Sequence, residues 1–580
     1  MFSATLSTRV ARFSAARNAP GARTSGPLLA LVTGVLTLAG CSGGTEPIPP
    51  ALVDCSEPIP INLAVGEHTI VDASQTGCVR FPAAGSSGAE YLYAALSTQG
   101  EVSEGGTSVD YQLTGGAPDA ALVASMGRSL LNTARPHSRV KAFHQRLRIL
   151  ERELSERPAA RQSSAISAST ARQPPPVLGE QRTFNVLRSS DSSGTSPGDY
   201  VQVTGTAKYI GVHAAIFLDD AAPSPGYTQQ DIDDIGAIFD DHLYPIDTLA
   251  FGSESDINGD NLVLVLLSDR VTKLAGCSGS FVIGYFFPVD LIPSATGSNG
   301  AEIFYGLAPD PACEVSPAFA AELLPRVFIH EFQHMINYNQ HVLVRGGTSE
   351  DTWLNEGLST FAEELGGRQV PDPVCFNNDC RTQFILGNLA NAYDFLTDLE
   401  SNYLVGADTV IPVPLTEYGA AWLFVRWLAD HFSQTPTLGT DLTRSLVQTT
   451  NSGSDNVESV TGEAFSTLVT QWQMANYLDD LPAFTPGSPR LQYDSWDFRQ
   501  IYASLNQQDP VAFPLSYPLE PDIANGGYTR SGTLNAGSGR HVLLIQQLSS
   551  GEVDFKLTES DGSSALPATA QPRVGITRIR

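Results

Sequence analysis

The segment His330-Glu331-Phe332-Gln333-His334 constrains this chain more than any other part of its sequence. On an α-helix, two histidines four residues apart project from the same face, so both imidazoles can reach one metal ion. The glutamate lies about a quarter-turn away, facing the water that completes the coordination shell of a Zn²⁺ ion. We therefore predict a zinc site on a helix, with Glu331 as the general base that takes the proton of this water.

The residues around this motif favour a buried helix. Apolar side chains at 323–329 and at 335–336 flank the motif. Because proline is tolerated only near the first turn of a helix, Pro325 predicts that the helix begins around Ala321–Leu324. A helix whose histidines bind no metal remains the alternative. Polar groups within so apolar a segment need partners, however, and a metal ion supplies them.

The position of the third ligand distinguishes classes of zinc peptidase. Such sites usually have three protein ligands and one position open to water. The metzincin pattern requires glycine and histidine three and six residues after the second histidine, where this chain has Asn337 and Gln340. Glu356 lies 22 residues after the second histidine, in an Asn-Glu pair that resembles the gluzincins, and this resemblance implies that Glu356 is the third ligand. Glu350 and Asp351 are rival candidates.

Three segments together resemble the hyicolysin family of secreted bacterial metallopeptidases. They are the histidine motif, Trp353-Leu354-Asn355-Glu356-Gly357 and Tyr418-Gly419-Ala420-Ala421-Trp422-Leu423-Phe424, and the resemblance spans roughly residues 180–485. It implies a gluzincin catalytic domain, endopeptidase activity, and zinc held by His330, His334 and Glu356.

The chain departs from the thermolysin-like gluzincins at one point. Those enzymes place Ser-Asp three residues after the ligand glutamate, where this chain has Ser359-Thr360. The carboxylate that orients a zinc-bound histidine must then come from elsewhere, and Glu363 or Glu364 is the candidate.

Tyr418 is a candidate catalytic residue. Gluzincins commonly place a tyrosine or histidine opposite the zinc, where it stabilises the developing oxyanion. The alternative is a tyrosine packed at the start of an apolar helix with its hydroxyl bonded to the backbone. We interpret His213, His242 and His431 as structural.

The N-terminus indicates export. Four arginines precede an apolar run at 27–40, which is too short to span a membrane. Leu38-Ala39-Gly40-Cys41 resembles the lipobox that bacterial lipoprotein signal peptidase cleaves. We predict a lipoprotein signal peptide, a lipid on Cys41 as the only membrane attachment, and a location in the bacterial cell envelope (outer membrane or cell surface). A plain secretory signal, which would give a secreted protein, is the alternative.

The remaining six cysteines suit an exported protein with disulfides. Nearness in sequence favours three pairs among about 15 possible pairings, namely Cys55–Cys78, Cys277–Cys313 and Cys375–Cys380. The formal net charge of −28 disfavours binding to nucleic acid. Protein or peptide substrates are therefore the expected partners, and the oligomeric state is left open.

The chain reads as an α+β protein with a zincin-like catalytic domain flanked by β-rich modules. That domain is expected to combine a mixed sheet, the active-site helix and a helical C-terminal subdomain. Apolar residues within Ser138–Glu156 recur at helical spacing with basic residues between them, which indicates either a prosegment on the acidic catalytic domain or a connecting helix. The predicted divisions are a signal peptide (1–40), a tether (41–54), a small β-domain (55–125), a helix and linker (126–180), the peptidase domain (181–490) and a β-sandwich-like module (510–580).

A possible Ca²⁺ site precedes one predicted strand. Asp256, Asn258 and Asp260 offer oxygen ligands at alternate positions, but the glycine and the twelfth residue of an EF-hand loop are misplaced. A tight turn entering the strand at 261–268 is the alternative.

Together these features predict an exported zinc endopeptidase. The nearest enzymatic alternative is a gluzincin aminopeptidase, although the Gly-Ala-Met-Glu-Asn motif of that family is absent from the sequence. From another class, the alternative is a catalytically silent lipoprotein that binds a surface.

Overall fold

The structure is a computed structural model, and it describes residues 52–101, 108–117, 139–157, 173–277, 281–406 and 415–580. The predicted signal peptide, Cys41 and most of the tether lie outside these ranges. The described chain is a mixed α and β protein with several sheets, as the sequence predicts.

The strands within the described ranges are β1 (Ile59–Pro60), β2 (His68–Asp72), β3 (Cys78–Phe81), β4 (Ala89–Ser97), β5 (Ser108–Gly116), β6 (Gln181–Leu187), β7 (Tyr200–Ile210), β8 (Ala214–Asp219), β9 (Val263–Ser268), β10 (Gly284–Phe286), β11 (Ile303–Leu307), β12 (Asp522–Ala524), β13 (Tyr528–Asn535), β14 (Ser538–Gln546), β15 (Val553–Glu559) and β16 (Pro572–Arg578). The α-helices are α1 (Arg139–Ser155), α2 (Gln229–Ile238), α3 (Tyr244–Ala250), α4 (Asp269–Lys273), α5 (Pro317–Tyr338), α6 (Thr352–Gln369), α7 (Cys380–Thr397), α8 (Leu415–Phe432), α9 (Thr440–Val447), α10 (Gly453–Thr461), α11 (Phe465–Leu478) and α12 (Phe498–Gln508).

A six-stranded mixed sheet lies behind the histidine motif, in the order β10-β11-β9-β8-β7-β6. The strand β9 runs parallel to both of its neighbours, β8 and β11. Every residue of β9 is buried, which agrees with its nearly unbroken apolar sequence, since a strand covered on both faces has no polar side. Within the described residues β10 forms one edge of this sheet and pairs only with β11.

The helix that carries the motif, α5, begins at Pro317, ahead of the predicted start around Ala321–Leu324. Ser316 caps it by accepting a hydrogen bond from the N–H of Phe319 at 3.3 Å. The prediction that Pro325 marks the first turn is therefore wrong. The proline ring is buried, as is the adjacent Leu324, and this packing offsets the hydrogen bond that proline cannot donate.

Strands from both ends of the described chain form one two-sheet unit. Its sheets have the orders β1-β3-β15-β5-β13 and β12-β14-β4-β16-β2. The prediction of separate modules at 55–125 and 510–580 is wrong because β4 pairs on both sides with strands from the far end of the chain. Neither segment alone satisfies the backbone groups of its strands, so the two segments complete each other.

Other sequence predictions agree with the described fold. The helix expected within Ser138–Glu156 is α1. The three favoured disulfides are all present. In the part of the chain described here, no helix is both long enough and apolar enough to cross a lipid bilayer.

Candidate metal centre

Two helices bring the three predicted ligands together. The helix α5 presents His330 and His334 one turn apart, and α6 presents Glu356 against them. The two histidine Nε2 atoms lie 3.2 Å apart. The Oε2 atom of Glu356 lies 3.4 Å from Nε2 of His330 and 3.6 Å from Nε2 of His334. The three side chains thus direct their donor atoms at a common point.

This triangle fits a zinc ion. Tetrahedral Zn²⁺ with ligand bonds of about 2.0–2.1 Å requires ligand atoms about 3.3 Å apart, and imidazole nitrogen and carboxylate oxygen are among its ordinary donors. The three separations lie on either side of that value. Among the described residues, the other groups of clustered potential ligands each contain a disulfide-bonded cysteine pair, which leaves this cluster as the metal-compatible one.

Outer hydrogen bonds fix the orientation of both imidazoles. The Nδ1 atom of His330 lies 2.8 Å from Oε1 of Glu363, and Nδ1 of His334 lies 3.0 Å from Oδ1 of Asn355. When each Nδ1–H donates to its oxygen acceptor, each Nε2 lone pair is left for a metal.

Of the two glutamates that the sequence offers for this outer role, the structure places Glu363 at the site. Its neighbour Glu364 instead accepts hydrogen bonds from Trp422 and Trp496, each at 2.8 Å, and from Arg368 at 2.6 Å. The outer role of Asn355 was missed in the sequence. Its position directly before the ligand glutamate is the signal that could have indicated this role.

Charge and burial set the protonation states of the three ligand groups. Burial by itself lowers the pKa of His330, but hydrogen bonds to Glu356 and Glu363 raise the pKa to about 10. Burial, reinforced by the charge of Arg148, lowers the pKa of His334 to about 3. Burial raises the pKa of Glu356, but the two histidines outweigh it and hold that pKa well below its usual range. Because metal binds an ionised carboxylate and a neutral imidazole, Glu356 and His334 already have the protonation state that binds metal, whereas His330 must release a proton as the metal binds.

Glu331 lies beside the ligands, as the spacing of the motif predicts. Its Oε2 atom accepts a hydrogen bond from the backbone N–H of Phe286 on β10 at 2.8 Å. Burial raises the pKa of Glu331, while the charges of His330 and Arg148 lower it. A buried carboxylate held by one backbone donor is chemically able to act as a general base.

Tyr418 lies in the first turn of α8 and is half-buried. Burial, together with the negative charges of Glu356 and Glu331, raises the pKa of Tyr418 well above 10. The phenol therefore stays protonated at neutral pH and is able to donate a hydrogen bond.

The rival ligands are engaged elsewhere. Glu350 accepts hydrogen bonds from the N–H of Gly453 at 2.6 Å and from Nδ2 of Asn456 at 2.7 Å. Asp351 forms an ion pair with Arg152 of α1. The structure does not bring either carboxylate into the cluster of ligand atoms.

The three other histidines considered in the sequence lie outside this cluster. His213 stacks on Tyr244 with ring centroids 3.8 Å apart, and His431 hydrogen-bonds the carbonyl oxygen of Gln492 at 3.0 Å. His242 lies in a π-helical turn that follows α2.

The segment proposed for calcium is a hydrogen-bonded turn. Asp256 accepts from the N–H of Asn261 at 3.0 Å, and Asp260 accepts from the N–H of Leu262 at 2.9 Å. Asn258 and Asp260 are also hydrogen-bonded to each other at 2.9 Å. These contacts explain the polar residues without an ion, and calcium at this turn has no support.

A residue of α1 reaches the candidate site, which the sequence did not indicate. The Nε atom of Arg148 lies 3.9 Å from Oε1 of Glu356, and its Nη2 donates to the carbonyl oxygen of Phe286 at 3.3 Å. The sequence offered only the general possibility that this basic helix docks on the acidic catalytic domain. Neither the docking position nor the role of this arginine could be inferred from spacing.

Comparison with known proteins gives a partial match. No protein-family model matches the chain. Over 228 residues the chain is 27% identical to the neutral metalloprotease ShpI of Staphylococcus hyicus, a match that covers 38% of this chain and 49% of that protein. The chain thus spans about half the length of this relative.

Among solved structures, a mutant M1 zinc metallopeptidase from Deinococcus radiodurans bound to a Tyr-Ser-Ala substrate aligns at 15% identity. The alignment covers 51% of this chain and 59% of that one, with a TM-score of 0.25, which is too low to indicate a shared fold. The sequence match therefore carries the comparison: over part of its length, the chain is similar to a metalloprotease.

Proposed function

We propose that this protein is a zinc-dependent endopeptidase in which His330, His334 and Glu356 hold the metal. The observation that carries the proposal is the triangle of ligand atoms, with separations of 3.2, 3.4 and 3.6 Å. The outer hydrogen bonds of both imidazoles and the adjacent Glu331 complete a peptidase site. The partial sequence match to a metalloprotease supports the same reading.

The chemistry follows from the positions of these groups. Bound zinc supplies Lewis acidity, which polarises a peptide carbonyl and lowers the pKa of a water molecule. The carboxylate of Glu331 takes the proton of the attacking water and then delivers it to the departing amine. Its hydrogen bond to the N–H of Phe286 keeps the carboxylate pointed at the site between these two transfers.

Tyr418 is the proposed donor to the oxyanion. Because the raised pKa of Tyr418 keeps its hydroxyl protonated, the group can donate to an oxygen that gains negative charge in the transition state. A donor that is already in place lowers the barrier without reorganisation during the reaction.

The edge of the central sheet favours an endopeptidase over an aminopeptidase. The N–H and the C=O of Phe286 both point away from β11, since one bonds Glu331 and the other Arg148. A strand edge that no other strand pairs with can bind an extended peptide through main-chain hydrogen bonds when a group such as the carbonyl oxygen of Phe286 is free, and such pairing requires no free amino terminus. We therefore expect the site to accept internal segments of proteins and peptides.

The proposed location is the bacterial cell envelope, with attachment through a lipid on Cys41. Support comes from the lipobox-like sequence and from the disulfides, which form and persist in oxidising compartments. Cells are grown with labelled palmitate, and the chain is extracted by detergent phase partition. We expect the native chain to carry the label and enter the detergent phase, and Cys41→Ala to do neither. A native chain that takes up no label and stays in the aqueous phase would instead indicate a secreted protein.

The activity is tested with casein and with a peptide blocked at both ends. The native chain and Glu331→Gln are compared, with bound zinc quantified in each protein. We expect about one zinc per chain in both proteins and cleavage of internal bonds only by the native protein. Cleavage confined to peptides with a free amino terminus would indicate the aminopeptidase, and absence of bound zinc would contradict the ligand assignment.

A further inference from the structure

The helix α1 differs in charge from the rest of the protein. Its 17 residues include five basic and two acidic side chains, whereas the whole chain has a formal net charge of −28. One face of α1 is apolar and buried, formed by Phe143, Leu147, Leu150 and Leu154. Arg148 and Glu151 are also buried, at 5% and 1% exposure, which is unusual for charged residues on a helix.

This helix covers the edge of the central sheet next to the candidate site. The ring of Phe143 contacts Tyr285 of β10 edge to face, with centroids 5.3 Å apart. One turn further along, Arg148 donates to the carbonyl oxygen of Phe286 on the same strand. The main-chain position where an extended substrate would pair with β10 is therefore occupied by α1.

The same helix is also bound to the ligand helix α6. The carboxylate of Glu151 accepts from Nδ2 of Asn355 at 3.2 Å, and Asn355 is the residue that orients His334. Arg152 pairs with Asp351 at the start of α6, and the Ser155 hydroxyl accepts from the N–H of Ser349 at 3.0 Å. The C-terminal half of α1 thus lies along the segment that leads into Glu356.

The charges of α1 are arranged so that the helix can leave as a unit. Nη1 of Arg148 lies 2.8 Å from Oε2 of Glu151, so both buried charges belong to one helix and partner each other. A buried charge is costly when its partner is removed, but this pair departs together. The Oε1 atom of Glu356 faces Arg148 at 3.9 Å and its Oε2 atom faces the two imidazoles, so the proposed metal would remain as a positive partner of Glu356 after Arg148 leaves.

From these contacts we propose that α1 is an autoinhibitory segment: it fills the substrate cleft in cis, and the chain becomes active when α1 leaves it. The proposal rests on the proposed peptidase function and names the regulation of that same site. Arg148 and Glu151 occupy the space that a substrate backbone needs between β10 and α6. The occupant of the cleft is a segment of this chain, and two of its arginines, Arg148 and Arg152, face the carboxylates of Glu356 and Asp351.

A reversible disulfide clamp tests this proposal in the full chain. The hydroxyl oxygens of Ser155 and Ser349 lie 3.5 Å apart, and both side chains are buried, so the pair Ser155→Cys with Ser349→Cys is well placed to crosslink α1 to the segment before α6. Each single cysteine variant is the control, and the native chain receives the same reductant because it has three disulfides of its own.

Three quantities are measured on the clamped and the reduced protein. They are cleavage of a blocked peptide, the rate at which a chelator removes bound zinc, and deuterium exchange of residues 139–155. We expect the clamped protein to contain zinc and to show slow deuterium exchange in α1. Its rates of peptide cleavage and of zinc loss to the chelator should each be lower than those of the reduced protein by at least about tenfold.

A second pair of variants avoids the added cysteines. Arg148→Ala removes the contact with Glu356 and should raise both peptide cleavage and chelator access in the full chain. Arg146→Ala is the matched control, since Arg146 lies two residues away, has a side chain 42% exposed and faces Asp191 at 3.9 Å. It should change neither rate.

The outcomes separate this proposal from the proposed function. A clamped protein that cleaves as fast as the reduced one overturns the autoinhibitory role and leaves the peptidase intact. The autoinhibitory role is also overturned if Arg148→Ala cleaves more slowly than the native chain while deuterium exchange of α1 stays slow. That result would make Arg148 a substrate-binding residue. The peptidase proposal fails if zinc is bound and α1 is released but no peptide is cleaved in any state. In that case the rates of zinc loss to the chelator decide whether α1 covers the site.

Discussion

Two adjacent glutamates on α6 are expected to respond differently to the same substitution. Glu363 hydrogen-bonds Nδ1 of His330 at 2.8 Å, whereas Glu364 accepts from two tryptophans and lies 3.3 Å from the buried guanidinium of Arg426. Glu363→Gln should weaken zinc binding with little effect on folding. Glu364→Gln should destabilise the fold with little effect on zinc.

The contacts set the size of each effect. Glu363 is 7% exposed, so solvent screens its bond to His330 only slightly. Losing an outer partner of a metal-bound histidine costs about 10- to 100-fold in affinity, and the retained amide oxygen of glutamine places the expected loss near about tenfold. Removing the charge of fully buried Glu364 leaves Arg426 and Arg368 underpaired, at a cost of about 3–5 kcal/mol in the free energy of unfolding.

Zinc affinity is measured by competition with a chromophoric chelator. Stability is measured by urea unfolding in EDTA, because bound metal otherwise adds to the apparent stability of the native state. Equal zinc affinity of Glu363→Gln and the native chain would refute the outer-ligand role. A loss of zinc affinity by Glu364→Gln without loss of stability would show that the two roles are assigned the wrong way round.

Two further predictions concern Tyr418 and Glu350. Tyr418→Phe removes the proposed oxyanion donor and should lower kcat by about 10²–10³-fold with KM nearly unchanged. An unchanged kcat on the blocked peptide would show that Tyr418 is only a packing residue. For Glu350, burial raises the pKa to about 8 from an ordinary value of 4.5. The folded chain then keeps a proton that the unfolded chain loses, so this group lowers stability progressively as pH rises from about 4.5 to 8. Glu350→Gln should flatten that part of the curve of unfolding free energy against pH, and an unchanged slope would show that Glu350 is ionised in the fold.

Short-range patterns in the sequence predicted the local part of the site. The two histidines four residues apart require only the repeat of one helix, and α5 places them as expected. Glu356 lies on a second helix, and a resemblance to a known family was needed to choose it over Glu350 and Asp351. Pro325 shows the limit of local rules, since tertiary packing maintains α5 through a residue that ordinarily ends a helix.

Contacts between distant parts of the chain could not be predicted. Arg80 and Asp554 are separated by 474 residues and form an ion pair at 2.6 Å, within a sheet that combines both predicted β-modules. Alternating apolar residues indicate strands but do not indicate their partners. The approach of Arg148 to Glu356 is of the same kind, because helical spacing shows which face of α1 is buried but not which surface receives it.

The central claim is that one zinc ion is held by the side chains of α5 and α6. Diffraction from crystals of the zinc-loaded native chain, recorded on both sides of the zinc absorption edge, tests it most directly. We predict one strong anomalous peak within about 2.0–2.2 Å of Nε2 of His330, Nε2 of His334 and a carboxylate oxygen of Glu356. A peak at the turn Asp256–Asp260, or no peak between these two helices, would contradict the account.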